Sequence, residues 1–159
     1  MLSSPLSPSE IVYRCVRCAY VSKDAEGKTR IGDEAFADRD KTPSVDVASL
    51  REYEPVHTRR EASDTIVQLV VGDIRALQSV VKRNDKGVLE FEYAIDVISD
   101  PIKDVPDLPD NPAHAKIVSV PKDKPLQPLN RSAWGKLKED LVVISVVVLE
   151  ASDPCPPDP

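Results

Sequence analysis

A single α+β domain, built on a mixed or antiparallel sheet with a central β-hairpin and two helices, is the fold class that three observations predict. The chain has 159 residues, one domain on the prior of roughly 100–200 residues per domain. Val, Ile, Leu and Phe supply 44 of them, enough to form a core. The β-branched and helix-type segments follow in the order strand, strand, helix, hairpin, strand, helix, strand, with no βαβ regularity. There are 15 prolines against 5 glycines, so loops are stiffened rather than loosened.

Residues 1–9 and the Pro-rich 151–159 offer little to pack, so both ends should be loose around a domain of 10–150. Ile11 to Val16 is β-branched and aromatic and reads as a first strand. Lys23 to Lys28 is a polar turn before a short Ile31 to Phe36 segment, and Ser44 to Leu50 reads as the second strand. Thr58-Arg59-Arg60-Glu61 matches a capping box, after which Ala62, Ile66, Leu69 and Val70 keep helical spacing up to Gly72 as C-cap. A longer helix to Arg83 fits the same spacing.

Ile74 to Lys82 and Val88 to Ile98 flank Asn84-Asp85-Lys86-Gly87, a hairpin loop whose glycine can take positive φ. In the second arm Leu89, Phe91, Tyr93, Ile95 and Val97 alternate with Glu90, Glu92, Ala94 and Asp96, an apolar face and an acidic one. A Pro-rich acidic connection, 99–113, leads to a strand from His114 to Val120. Asn130 or Ser132 can cap a helix through Trp134, Leu137 and Leu141. Leu141 to Leu149 is apolar and β-branched, more like a buried strand than a helix, though periodicity does not separate the two.

The net charge of −6 has the wrong sign for tracking phosphates, and with two Phe, one Trp and four Tyr to stack bases, a nucleic-acid role is disfavoured. The acidity is local. Glu90, Glu92, Asp96, Asp100, Asp104, Asp107 and Asp110 are seven carboxylates against the single cation Lys103, and the rest of the chain is neutral. The start carries no basic-then-apolar signal, and the longest apolar run, Leu141 to Leu149, is far short of the ~20 residues that span a bilayer. Three cysteines without an export signal predict free thiols and a cytoplasmic setting.

Cys15-Val16-Arg17-Cys18 has CxxC spacing, and with His57 and His114 it can be drawn as a zinc site. The drawing places Cys15 and Cys18 on opposite faces of one strand, so structural cysteines and no metal are the favoured reading. No Gly-rich phosphate loop and no Gly-x-Ser-x-Gly elbow are present. His114, where the acidic loop enters a strand, could serve as a general base or simply fix the loop.

Arg14 in the first strand, Ser44 at the second and Glu90-Phe91-Glu92 in a later one resemble the Arg/Ser/Glu order of arginine-type mono-ADP-ribosyltransferases. That resemblance implies NAD as cofactor, with Arg14 on the dinucleotide, Ser44 orienting the nicotinamide ribose and Glu92 as catalytic carboxylate, His114 being a further candidate. Tyr13-Arg14, Pro43-Ser44-Val45-Asp46 and Asn111-Pro112-Ala113-His114-Ala115 are similar to a class of small bacterial proteins, cyanobacterial ones among them, over roughly residues 10–120. This implies a bacterial origin and no established activity.

The reading favoured by the sequence is a non-enzymatic protein that binds a basic protein partner through the hairpin and the acidic loop, with Asp104, Asp107 and Asp110 as binding residues and no cofactor. The alternative is an NAD-using ADP-ribosyltransferase-like enzyme.

Overall fold

The structure, a computed structural model, describes residues 5–78, 80–121 and 129–157. Its elements are β1 (Ile11–Val16), β2 (Val21–Lys23), β3 (Thr29–Ile31), β4 (Ser44–Val47), β5 (Thr65–Val70), α1 (Val71–Arg75), β6 (Val81–Arg83), β7 (Leu89–Ser99), β8 (His114–Pro121), α2 (Arg131–Ile144) and β9 (Val146–Leu149), with short 3-10 turns between them. Seven strands form one sheet in the order β6-β7-β8-β4-β1-β5-β9, antiparallel at every step, while β2 and β3 make a separate hairpin. Two helices against a large antiparallel sheet make this an α+β domain, as expected.

One face of the sheet carries the core. Val12 and Val16, Val45 and Val47, Val67 and Leu69, Tyr93, Ile95 and Val97, and Ala115 and Ile117 are alternate residues of five strands and all belong to one buried cluster. The helix α2 closes it with Ala133, Leu137 and Leu141, which recur every four residues. Asn130 caps this helix, its Oδ1 accepting from the Ala133 N–H at 2.8 Å. The opposite face has only Tyr13, Ala48 and Ile66 as a small buried cluster.

The hairpin is where the sequence placed it. Gly87 has φ +77°, the Gly87 N–H reaches the Asn84 carbonyl at 2.9 Å, and Asn84 Oδ1 accepts from Lys86 and Val88. Leu141 to Leu149 is both things in turn: α2 runs to Ile144 and β9 starts at Val146.

Two expectations are corrected. The helix from Thr58 to Gly72 is the strand β5, because it lies between β1 and β9 and buries side chains on both faces; a strand apolar on both sides satisfies helical spacing by accident. The Thr58 hydroxyl donates to Asp46 and the Glu61 N–H to Asp64, so no capping box forms. The strand expected from Ile74 gives way to α1, with only Val81–Arg83 extended. Gly72 lies within α1, where its N–H meets the Pro8 carbonyl at 2.8 Å and any Cβ would stand 3.0 Å from that oxygen.

The described parts of both ends are tied to the domain. Leu6 packs on the core, and the Val71 N–H bonds to the Glu10 carbonyl at 2.9 Å. Residues 151–157 form no helix or strand and are exposed, yet the Ser152 and Asp153 N–H groups both reach the Ala62 carbonyl and Cys155 is bonded to Cys18. No helix among the described residues is long and apolar enough to cross a membrane.

Candidate functional site

The polar centre of the molecule lies on the sheet face away from α2. Asp46 alternates with Val45 and Val47, which point into the core, so its carboxylate emerges on the opposite side, where it is only 7% exposed. A buried carboxylate needs several donors to replace water. Arg51 Nε donates to Oδ2 at 3.0 Å, the Thr58 hydroxyl to the same oxygen at 2.9 Å, and Asn111 Nδ2 to Oδ1 at 2.9 Å. Asn111 Oδ1 in turn accepts from Arg51 Nη2 at 2.8 Å and from the Ala113 N–H at 3.0 Å. One carboxylate thus ties the 3-10 turns Ala48–Arg51 and Pro55–Thr58 and the end of the acidic loop to β4.

The loop is held at its other end as well. Ile102 and Asn111 exchange both backbone hydrogen bonds, at 2.9 and 2.8 Å. His114 Nδ1 lies 2.7 Å from the Asp100 carbonyl and 3.3 Å from Asp100 Oδ2, a carboxylate that Lys116 also approaches at 3.5 Å. Between these ties the chain turns through Asp104 (φ 57°) and Asp107 (φ 66°), left-handed conformations that aspartate tolerates better than most residues. Asp110 Oδ1 accepts from the Asp104 N–H at 3.0 Å. Asp104, Asp107 and Asp110 are all exposed, and no cation among the described residues pairs with them. Val105 and Leu108, 42% and 54% exposed, sit between them.

Arg14, Ser44 and Glu92 do not form a cleft. Arg14 lies on the core face against Phe36, its guanidinium 5.7 Å from the ring centroid. Nε donates to the Ala35 carbonyl, Nη1 to the Ser44 carbonyl and to Asp38, and Nη2 to Asp38 at 2.7 Å. Four of the guanidinium's five N–H groups are consumed inside the protein. Ser44 meets Arg14 only through its backbone. Glu92 follows the alternation opposite to buried Tyr93, so it is exposed on the other face, and β8 and β4 separate its strand from that of Arg14. His114 shares the Asp46 face, being its cross-strand partner, and its ring nitrogen is engaged by Asp100.

The cysteines are also rearranged. Cys18 and Cys155, 137 residues apart, form a disulfide, which corrects the expectation of three free thiols and removes the argument from thiols to a reducing compartment. Only Cys15 is free. Burial, opposed by a hydrogen bond from the Arg60 backbone and reinforced by the adjacent Asp64 carboxylate, pushes its thiol up to about 11. With Cys15 donating to Asp64, Cys18 bonded to Cys155, His57 at the Arg51 carbonyl and His114 at Asp100, the four groups of the drawn zinc site are each engaged elsewhere. Among the described residues no cluster of three or more His, Cys, Asp or Glu is placed to hold a metal ion.

Sequence reasoning missed Asp38, Arg51, Thr58 and Asn111. The available signal was Asp46 itself, a carboxylate between two valines in a short strand. No family model, curated protein or solved structure matches this chain.

Proposed function

We propose that the protein acts without catalysis, by binding another protein, and that the acidic loop is the contact surface. The observation that carries this reading is the state of Asp104, Asp107 and Asp110: three exposed carboxylates that no cation among the described residues pairs with, on a loop whose two ends are fastened through Ile102, Asn111 and Asp100. A loop already held in shape loses little conformational entropy when it binds, and unpaired charge favours fast encounter with a cationic partner. Val105 and Leu108 between the aspartates supply the apolar contact that charge alone lacks. The occupied donors of Arg14 and its separation from Glu92 weigh against the NAD-using alternative.

The test compares proteins captured from a cell extract by the immobilised wild type and by the triple variant Asp104→Lys, Asp107→Lys, Asp110→Lys. The expected result is a specific protein retained by the wild type, lost by the variant and released by moderate salt. Identical captures from both would overturn the proposal.

A further inference from the structure

We infer that the bare outer face of β7 and β8 is a seat for a cationic amphipathic helix, which names the partner's chemistry and rests on the binding role of the acidic loop. The outward residues of these strands mix four apolar side chains with two charged ones, Asp96, which Arg75 of α1 pairs with at 2.6 Å, and Lys116, which approaches Asp100 at 3.5 Å. Ala94 is opposite Val120, Asp96 opposite Val118 and Ile98 opposite Lys116, all on the side away from Tyr93, Ile95, Val97 and Ile117. Ile98 is 46% and Val120 47% exposed. A face open to water ordinarily alternates to polar residues here. At the other end of the same sheet face, the turn Ala48–Arg51 covers Tyr13 and Ile66; over β7 and β8, among the described residues, no helix or turn buries Ile98 or Val120.

From Ala94 to Ile98 the strip spans four residues at ~3.3 Å each, about 13 Å. A helix lying along it would cover that length with about nine residues at ~1.5 Å rise. The surroundings set the charge of the occupant. Asp104, Asp107 and Asp110 stand exposed on the loop that joins one end of the two strands, while the cations on the face itself, Arg75 and Lys116, are held by Asp96 and Asp100. An apolar middle flanked by lysines or arginines complements that distribution, whereas an acidic or uncharged helix does not.

The probe is a fluorescent peptide of about 18 residues, long enough for five helical turns, with leucines at i, i+3, i+4 spacing in the centre and lysines at both ends. Its control has the same composition scrambled to remove the apolar stripe. Anisotropy titrations use the full chain, its Ile98→Glu and Val120→Glu variants, a milder Ile98→Ala and the triple loop reversal, each checked by thermal melting. The expected result is binding of the amphipathic peptide at least about tenfold tighter than the scrambled one, with that preference lost in the Glu variants and reduced in Ile98→Ala. If both peptides bind alike and weaken alike in the loop reversal, the face is not a helix seat while the acidic-loop reading stands. If neither binds at concentrations up to ~100 μM, a weak affinity of roughly 5–6 kcal/mol, both readings fail.

Discussion

The two faces of the sheet use the same device to opposite ends. On the face under α2, Arg14 grips Asp38 and the carbonyls of Ala35 and Ser44, fastening a 3-10 turn over the largest hydrophobic cluster. On the other face, Arg51 grips Asp46 and Asn111 and fastens two turns and the acidic loop, with little apolar burial behind them. Both are guanidinium–carboxylate pairs largely withdrawn from water, with side-chain exposures of 14% and 23% for the first and 25% and 10% for the second. The first closes a core. The second arranges a surface, and the difference teaches that stability and recognition are carried by different sides of one sheet.

The comparison breaks most sharply in the core. Leu137 is fully buried in the middle of α2, and Leu137→Ala should cost about 3–5 kcal/mol through lost transfer energy and a residual cavity. Ile98→Ala on the bare face should stay within about 0.5 kcal/mol. Urea unfolding of both variants measures the contrast, and equal losses would mean that the two faces are not energetically distinct.

Next in size is Asp46→Ala. It strands the Arg51 charge, the Asn111 amide and the Thr58 hydroxyl at a site where water has little access, and should cost about 2–4 kcal/mol. Since Asp46 anchors the loop through Asn111, the variant should also be cleaved faster by protease between Asp100 and Asn111 under native conditions. A destabilised variant with unchanged cleavage there would separate the network from the loop.

How much of this was legible in the sequence follows from how local each signal is. The Asn84 to Gly87 turn, the alternation of β7 from Tyr93 through Val97 and the Asn130 cap depend on neighbours within a few residues and are found, whereas Leu89, expected on the inward face, is 43% exposed and the Phe91 side chain lies outside the described residues. β5 was read as a helix because a strand buried on both faces has no polar alternation to betray its period. The Asp46 network joins residues 46, 51, 58 and 111, and the disulfide joins 18 and 155; spacing alone carries no trace of such pairings. The acidic stretch was visible as composition, whereas its fastening at both ends was not. The Arg14, Ser44 and Glu92 order was visible too, but chain order is silent about which face of a sheet each residue occupies.

A smaller effect concerns Cys15, which lies on the second face beside Ile66. Burial above all holds its thiol protonated well above the ordinary value of 9.0, up to about 11. Between those values the native state keeps a proton that the unfolded chain has released. The resulting stabilisation is therefore complete below about pH 9 and is lost as pH rises toward about 11. Cys15→Ser should flatten that decline in pH-dependent melting. At pH 8 the native protein should also react slowly with iodoacetamide and gain one reactive thiol in denaturant, so rapid native labelling would show the site to be open.

The smallest effect is expected where the functional claim is greatest. Reversing Asp104, Asp107 and Asp110 to lysine removes no ion pair, because none of the three has a cation among the described residues. The one structural bond at risk is Asp110 Oδ1 to the Asp104 N–H, which is exposed and worth little. Against it stands relief of repulsion within a stretch of seven carboxylates and one lysine. The melting point should therefore move by no more than the equivalent of about 0.5 kcal/mol, and upward more readily than downward, with the shift shrinking in added salt. A loss above about 1 kcal/mol would make the aspartates part of the fold. Neutrality or a gain would leave a cluster of like charge that the fold does not need, which is the pattern expected when a surface is kept for a partner at some cost to the free molecule.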